Sequence, residues 1–349
     1  MIAPPPMRTR FCDAYGIAHP IACAGMAFVA SMPELAIAVA HAGALPAIGA
    51  GIMSSERLSA CVASYRAAAT APLNVSFLTF AFDAEKLALC CALKPEIVSF
   101  HWGHPDKAWI DALYAAGIKV WEQVGSLAAA QIAVADGIDL IIVQGLEAGG
   151  HNYAELPLDE AIFTIRNSVG PEPMLLAAGG LSSGEDVVRV LSLGADGVML
   201  GSRLVASDEA NAHDDYKEAL VAADGSDTVL TAMFGREMPF FNPVRVIANG
   251  PVRDWIGREA ELPLAGPSFP VIGEIASPNG SLPIRMLDSI VPTRDAQGDI
   301  ASMMLLAGAG IGGIKTVKPV FDIITAIMAQ AYAASPQTQM ETLCQMETL

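Results

Sequence analysis

Short, continuous runs of apolar residues alternate along the chain with longer amphipathic segments. Continuous apolar runs are typical of parallel strands buried on both faces, and amphipathic segments are typical of helices. Between Ile21 and Ala222 this alternation occurs eight times. The predicted strands span residues 21–26, 44–49, 73–78, 97–101, 119–124, 140–144, 174–178 and 197–200. The predicted helices span residues 33–41, 55–69, 84–93, 107–116, 127–135, 158–167, 184–193 and 213–222.

Eight consecutive strand–helix units predict an α/β protein with a (β/α)₈ TIM barrel. The structural alternative is an open, doubly wound parallel sheet. No GxGxxG motif follows the first predicted strand, whereas dinucleotide-binding sheets carry it there. The number of units and the missing motif favour the barrel.

The strand–helix rhythm stops after the eighth unit. Residues 223–302 contain nine prolines, which predicts a small helical, proline-rich insertion that lies over one end of the barrel. A glycine-rich loop and a C-terminal helix follow. We therefore predict a barrel over residues 1–222, an insertion or lid over 223–302, a segment over 303–335 that completes the barrel domain, and a flexible tail over 336–349.

Composition restricts the class of protein. The 349 residues are 53% hydrophobic and 16% charged, which excludes an intrinsically disordered chain. The formal charge of −17 argues against nucleic acid or an anionic membrane as a partner. Six cysteines without a CxxC pair indicate free thiols and a cytoplasmic protein. Residues 35–55 are uncharged, but glycine and proline interrupt them, so we predict no transmembrane segment.

The active sites of such barrels lie at the C-terminal ends of the strands, and the loops after the last two strands often bind phosphate. Here Gly179 and Gly180 follow the seventh predicted strand, and Gly201 and Ser202 follow the eighth. The helix beginning near Ser183 is expected to direct free N–H groups towards an anion. The pattern predicts a phosphate site, and the alternative is that these glycines only form tight turns.

The loop after the sixth predicted strand reads QGLEAGGH and ends in His151. Histidine transfers protons near neutral pH, so His151 is the candidate catalytic residue. The alternative is a histidine that only hydrogen-bonds its own loop. His101 and His104 are three residues apart, but this spacing on a strand places them on opposite faces. We therefore predict no metal site.

Six motifs occur in one order along the chain: HPI…GM, PLNVSF, VSFHWGHP, VQGLEAGGH, AAGGLSSGEDV and ADGVMLGSR. Together they resemble the nitronate monooxygenase family, also called the 2-nitropropane dioxygenase-like family. Flavin-dependent enoyl-ACP reductases and NADH:quinone reductases have the same fold. The resemblance covers residues 8–203, with a weaker match over residues 306–329.

The resemblance implies a TIM barrel that holds FMN non-covalently, with His151 beside the flavin as a base or substrate-orienting group. It implies a phosphate cradle of backbone and side-chain groups after the last two strands, and contacts from earlier strands to the flavin ring and ribityl chain. The expected cofactor-binding residues are Gly25, Met26, Asn74, Gln123, Gln144, Gly149, Gly150, Gly179, Gly180, Met199, Leu200, Gly201 and Ser202.

The activity implied by the resemblance is oxidation of alkyl nitronates with O₂. A second interpretation is an enoyl-ACP or quinone reductase of the same fold that uses NAD(P)H. Two readings from other classes are a flavin-free barrel for a phosphorylated metabolite and a non-catalytic binding protein. The expected partners are a small molecule and O₂, and the oligomeric state stays open. The chain departs from the family pattern mainly on the substrate side, at Cys23, Gln123, Tyr153 and Ala309.

Overall fold

The structure is a computed structural model that describes residues 7–51, 53–263, 268–277 and 280–335. The described strands, in chain order, are β1 (Ile21–Cys23), β2 (Ala47–Gly49), β3 (Asn74–Leu78), β4 (Ile97–His101), β5 (Lys119–Val124), β6 (Leu140–Gln144), β7 (Gly150–His151), β8 (Met174–Ala178), β9 (Gly197–Leu200), β10 (Thr228–Thr231), β11 (Val244–Ile247), β12 (Val271–Ser277), β13 (Gly280–Arg285) and β14 (Gln297–Gly298).

The described α-helices are α1 (Arg10–Tyr15), α2 (Pro33–His41), α3 (Ser55–Ala68), α4 (Ala84–Leu93), α5 (Lys107–Ala115), α6 (Leu127–Ala135), α7 (Leu158–Val169), α8 (Gly184–Ser192), α9 (Ser202–Val205), α10 (Asp214–Ala222), α11 (Gly250–Trp255) and α12 (Val320–Ala334). The predicted tail over residues 336–349 lies outside the described residues.

The central sheet has eight parallel strands in the order β1-β9-β8-β6-β5-β4-β3-β2. A parallel bridge between Ala22 and Leu45 connects the two ends of this order, so the sheet curves into a barrel. Every predicted strand between residues 21 and 200 is present, and helices connect the strands as predicted. The structure therefore confirms the (β/α)₈ barrel.

Helix α1 fills the end of the barrel opposite the C-terminal ends of the strands. Its side chains Phe11 and Tyr15 pack with Trp121, which projects inwards from β5 and is fully buried. The Trp121 Nε1–H donates a hydrogen bond of 2.6 Å to the Tyr15 hydroxyl, so its polar group is satisfied inside an apolar core. The barrel is thus a packed core with one accessible end.

The C-terminal helix α12 packs against α8 so closely that the two backbones are in contact at Gly184. A Cβ added to Gly184 would lie 2.2 Å from the Ala331 backbone N and 2.4 Å from the Ile327 carbonyl O. The Gly184 N–H in turn donates to Gln330 Oε1 at 3.0 Å. Glycine at the first position of α8 therefore permits backbone contact with α12, which returns the chain end to the barrel.

The insertion contains mainly strands, which corrects the prediction of a helical segment. In the described part of residues 223–302, α11 is accompanied by two three-stranded sheets, β10-β11-β7 and β13-β12-β14. Prolines restrict helix length here but are tolerated at sheet edges, as Pro283 is in β13. One sheet includes β7 from the barrel loop, so the insertion is joined by backbone hydrogen bonds to the C-terminal end of the barrel.

We expect Gly184→Ala to destabilise the protein by about 1–3 kcal/mol, because the new methyl group overlaps the α12 backbone. Urea unfolding measures this change. Gly250→Ala is the matched control, since Gly250 also begins a helix but has no atom within 4 Å of its added Cβ. Equal stability of the two variants would contradict the packing argument.

Candidate active site

A cavity of about 410 Å³ lies at the C-terminal ends of the barrel strands. Ligand sites commonly measure roughly 300–1,000 Å³. All the predicted site residues except Asn74 and Leu200 line this cavity. These lining residues are Gly25, Met26, Gln123, Gln144, Gly149, Gly150, His151, Gly179, Gly180, Met199, Gly201 and Ser202. The barrel therefore brings together side chains and loops that are up to 177 positions apart in the sequence.

Asn74 and Leu200 do not line the cavity. Asn74 is the first residue of β3, two positions before Ser76, which does line the cavity. The Asn74 amide is fully buried, and neither its Nδ2 nor its Oδ1 has a partner within the described residues. Leu200 packs in the apolar core because adjacent residues of a strand face opposite sides. The sequence motif alone could not show how deeply these two side chains are buried.

The imidazole of His151 is held in one tautomer by the insertion. Strand β7 pairs with β11 so that His151 lies opposite Val244. Its Nδ1 is 2.6 Å from the carbonyl O of Phe241. Because a carbonyl can only accept, Nδ1 carries the proton and Nε2 is the unprotonated nitrogen. Nε2 has no hydrogen-bond partner in the described part of the chain.

Burial keeps His151 neutral. The Phe241 ring stacks on the imidazole with a centroid separation of 3.3 Å, and Trp102 approaches the ring edge-on at 5.9 Å. Burial lowers the pKa of His151 to about 4, although the hydrogen bond to Phe241 opposes this change. His151 is therefore an unprotonated base at neutral pH.

The loop that carries His151 is fastened by two amide side chains. Gln144 Nε2 donates to the His151 carbonyl O at 3.0 Å, and the Tyr153 N–H donates to Gln144 Oε1 at 3.2 Å. Asn152 Nδ2 donates to three carbonyls of the preceding turn, at 3.0–3.2 Å. The Gln144 side chain, predicted as a cofactor contact, thus also positions the histidine.

His101 is a cavity residue to which the sequence pattern assigned no role. Its Nδ1 is 2.9 Å from Gln123 Oε1, and its Nε2 is 3.3 Å from Ser99 Oγ. Burial lowers the pKa of His101 to about 4. Both ring nitrogens are engaged with protein groups, in contrast to those of His151. The sequence feature that could have identified His101 as a cavity residue was its position at the end of a predicted strand.

Trp102, Tyr153 and Phe241 form an aromatic wall that the sequence analysis did not predict. Trp102 lies edge-on to Tyr153 at 4.7 Å and to Phe241 at 5.3 Å. Trp102 has a φ of 68°, which is uncommon outside glycine, and its Nε1–H donates to the Phe240 carbonyl O at 2.8 Å. The wall joins a barrel loop to the insertion, so no local sequence pattern could have predicted it.

Three glycine-containing loops that line the cavity meet at backbone distance. A Cβ on Gly310 would lie 2.0 Å from the Gly180 carbonyl O, and a Cβ on Gly149 would lie 2.4 Å from the Gly308 N. The Gly308 N–H donates to Ser202 Oγ at 2.9 Å. The late glycine-rich segment therefore closes over the loops after β6 and β8.

The helix α8 does not direct free amides towards these loops, which corrects one part of the phosphate prediction. Asp186 Oδ2 accepts hydrogen bonds from the N–H groups of Ser182 and Ser183 at 2.9 and 3.0 Å. Asp186 and Ser183 form a capping box, and the Gly184 N–H bonds Gln330. The first turn of α8 is thus largely saturated by the protein itself.

Other backbone amides are available for an anion. Within the described residues, the N–H groups of Gly180 and Ser202 have no hydrogen-bond acceptor. A Cβ added to Gly201 would have no atom closer than 3.9 Å, so this glycine borders open space. Both residues are half-buried beside the cavity, and backbone N–H groups without protein acceptors suit phosphate oxygens. The geometry fits a phosphate group placed between the loops after β8 and β9.

His104 lies in a separate polar cluster away from the cavity. Its Nδ1 is 2.8 Å from Glu122 Oε2, and its Nε2 is 2.9 Å from Asp136 Oδ2. Burial raises the pKa of Glu122 to about 7. This cluster ties the loop after β4 to the outer face of β5. Among the described residues, no group of His, Cys, Asp and Glu is arranged to hold a metal ion.

None of the helices in the described ranges combines the length and apolar character that a membrane crossing requires.

Comparison with known proteins agrees with the resemblance seen in the sequence. The family profile described as nitronate monooxygenase matches residues 8–84 and 77–330. Nitronate monooxygenase from Pseudomonas aeruginosa is 31% identical over 277 residues, which cover 66% of this chain and 78% of the relative. Nitronate monooxygenase from Paraburkholderia phytofirmans is 30% identical over 262 residues, which cover 62% and 71%.

Among solved structures, FabK from Thermotoga maritima is similar along nearly the whole chain. The superposition covers 97% of this chain and 99% of FabK, with a TM-score of 0.77 and 28% sequence identity. The similarity extends beyond the barrel to the insertion and the C-terminal helix.

We expect the pKa of His151 to be about 4, well below the ordinary value of 6.5, because its charged form is desolvated. Imidazole ¹H–¹³C NMR across pH 3–8 measures it, with His151→Gln to assign the signal. Phe241→Ala should raise the pKa towards 6.5. Phe240→Ala, which removes an exposed ring, should leave it unchanged. A midpoint near 6.5 in the unsubstituted protein would contradict the assignment.

Proposed function

Because the chain belongs to the nitronate monooxygenase family, whose members are flavin-dependent oxidoreductases, we propose that it binds FMN and oxidises nitroalkanes or their nitronates with O₂. The observation that carries this proposal is the pairing of two features in one cavity. A neutral histidine with a free Nε2 lies at one side, and glycine-bordered amides without acceptors lie at the other.

FMN would occupy the cavity between these features. Gly180, Gly201 and Ser202 would hold its phosphate, and Gly25, Met26, Gln123 and Met199 would border the rest of it. A Cβ on Gly25 would lie 2.1 Å from Ser76 Cβ, so only glycine lets the loop after β1 pass this close to the barrel mouth. When bound, the flavin would supply the electron acceptor and the site of reaction with O₂.

The protonation state of His151 suggests which substrate needs it. An unprotonated Nε2 can accept a proton but cannot donate a hydrogen bond to a nitro group. His151 would therefore remove the proton from the carbon next to the nitro group of a neutral nitroalkane. The imidazolium so formed would lie beside the new nitronate anion, which offsets the cost of charging a buried histidine.

The surroundings of His151 suit a small substrate. Phe241, Met238 and Leu306 line the cavity and come from the insertion or the segment after it. Phe241 stacks directly on one face of the His151 ring, so it limits access of water to the imidazole. A desolvated carboxylate-free pocket favours a substrate with one small polar group.

A second candidate function is that of an NAD(P)H-dependent reductase of the same fold, which acts on an enoyl thioester or a quinone. The structural similarity to FabK over 97% of the chain supports it. Steady consumption of NADH or NADPH with such an acceptor, together with no oxygen uptake on nitronates, would favour this candidate. Oxygen uptake on nitronates without NAD(P)H would favour the first.

We expect His151→Gln to lower kcat/KM for neutral nitroethane by about 10²- to 10⁴-fold, because general base catalysis is lost. Turnover of ethylnitronate, which is already deprotonated, should change far less. Oxygen uptake with both substrates measures the difference. His101→Gln is the control, and any loss it causes should be similar for the two substrates. Equal losses in His151→Gln would remove the base role.

We expect Gly201→Asp to fold but to be purified without flavin, because the carboxylate would enter the open space beside Gly201 and repel a phosphate. Absorption at 450 nm measures the flavin content, and thermal unfolding checks the fold. Gly250→Asp carries the same charge at an open position outside the cavity lining and should retain full flavin. Full occupancy in Gly201→Asp would mean that the phosphate lies elsewhere.

A further inference from the structure

Arg203 is a buried cation that no carboxylate of the described residues neutralises. Only 7% of its surface is exposed, and the residue is part of the cavity lining. Within the described residues its guanidinium bonds only the Thr316 carbonyl O, at 3.2 and 3.4 Å. It takes part in no ion pair in this part of the chain. Burial lowers the pKa of Arg203 to about 10.

This environment is unusual for an arginine in so acidic a protein. The chain carries 37 acidic residues against 20 basic ones, so carboxylates are abundant. Arg166, which is also largely buried, forms an ion pair with Asp196 at 2.9 Å. Burying a cation without a counter-ion is unfavourable, because it loses hydration and gains no opposite charge. An anion from outside the chain would supply that charge.

The position of Arg203 indicates where this anion would lie. It directly follows Ser202, whose hydroxyl accepts from the Gly308 N–H and whose own N–H has no acceptor in the described chain. Its partner Thr316 follows the glycine-rich segment in which a Cβ on Gly313 would lie 2.3 Å from Ser182 Oγ. Arg203 is thus next to the place where the glycine loops meet.

We propose that Arg203 supplies the counter-charge for the phosphate of FMN and so makes the site select FMN over riboflavin. This inference rests on the proposed function. Backbone amides stabilise a phosphate by hydrogen bonds but carry no net charge, whereas a guanidinium offers both charge and several donors. The two thus act together: the amides set the position of the phosphate, and Arg203 neutralises it.

The test compares two ligands that differ only in the phosphate. Flavin is released from the full-length protein, and the affinities for FMN and riboflavin are measured by quenching of flavin fluorescence. In the unsubstituted protein, FMN should bind more tightly than riboflavin, and added salt should weaken the binding of FMN more than that of riboflavin.

Arg203→Met keeps the apolar stem and removes the charge. It should weaken FMN binding by about 10- to 100-fold, the effect expected for loss of a charged hydrogen-bond partner, and should change riboflavin binding little. Arg203→Lys should restore most of the preference for FMN. Arg236→Met is the matched control, since the Arg236 guanidinium also bonds a carbonyl, that of Glu259, but does not line the cavity. It should leave both affinities unchanged.

Three results would overturn the inference. Equal weakening of FMN and riboflavin binding by Arg203→Met would make Arg203 a structural residue. Unchanged binding of both flavins would assign its charge to a different anion. If Arg203→Met does not fold, then equal salt dependence of FMN and riboflavin binding in the unsubstituted protein would reject the counter-charge. Failure of the unsubstituted protein to bind either flavin would instead refute the proposed function itself.

Discussion

Backbone-to-backbone contact at the C-terminal end of the barrel is the constraint on which the site depends. The late glycine-rich segment touches the loops after β6 and β8 backbone to backbone, with Gly308 against Gly149 and Gly310 against Gly180. A methyl group at Gly149, Gly180 or Gly310 would overlap a neighbouring loop. This contact leaves amides unpaired at the cavity surface and places the start of α9 beside them. The proposed anion site would thereby be built from backbone atoms.

The other side of the cavity depends on burial. The insertion contributes β11, which pairs with β7, and the Phe241 carbonyl, which fixes the tautomer of His151. The Phe241 ring stacks on the imidazole, and burial lowers the pKa of His151 to about 4. A barrel alone would leave this histidine at a solvent-exposed loop. The insertion therefore determines the chemistry of a residue that the barrel supplies.

The two ends of the cavity differ in electrostatic character. His151 and His101 are both held neutral by burial, while Arg203 is a cation without a carboxylate partner in the described chain. Such a division suits a ligand with a charged group at one end and a neutral reactive group at the other. The protein carries a net charge of −17, so an unpaired arginine in the cavity is a local positive charge within an otherwise acidic protein.

The sequence by itself determined the barrel and most of its cavity. Strands β4, β5, β6, β8 and β9 begin and end where the apolar runs predict, because both faces of each strand are buried and a turn residue follows. The residues at the ends of these strands were therefore predictable as cavity residues. Tertiary structure alone decided the depth of Asn74, the capping of α8 by Asp186 and the contact of Phe241 with His151 across 90 positions. These features depend on long-range pairing and on burial, which local patterns of apolar and polar residues do not encode.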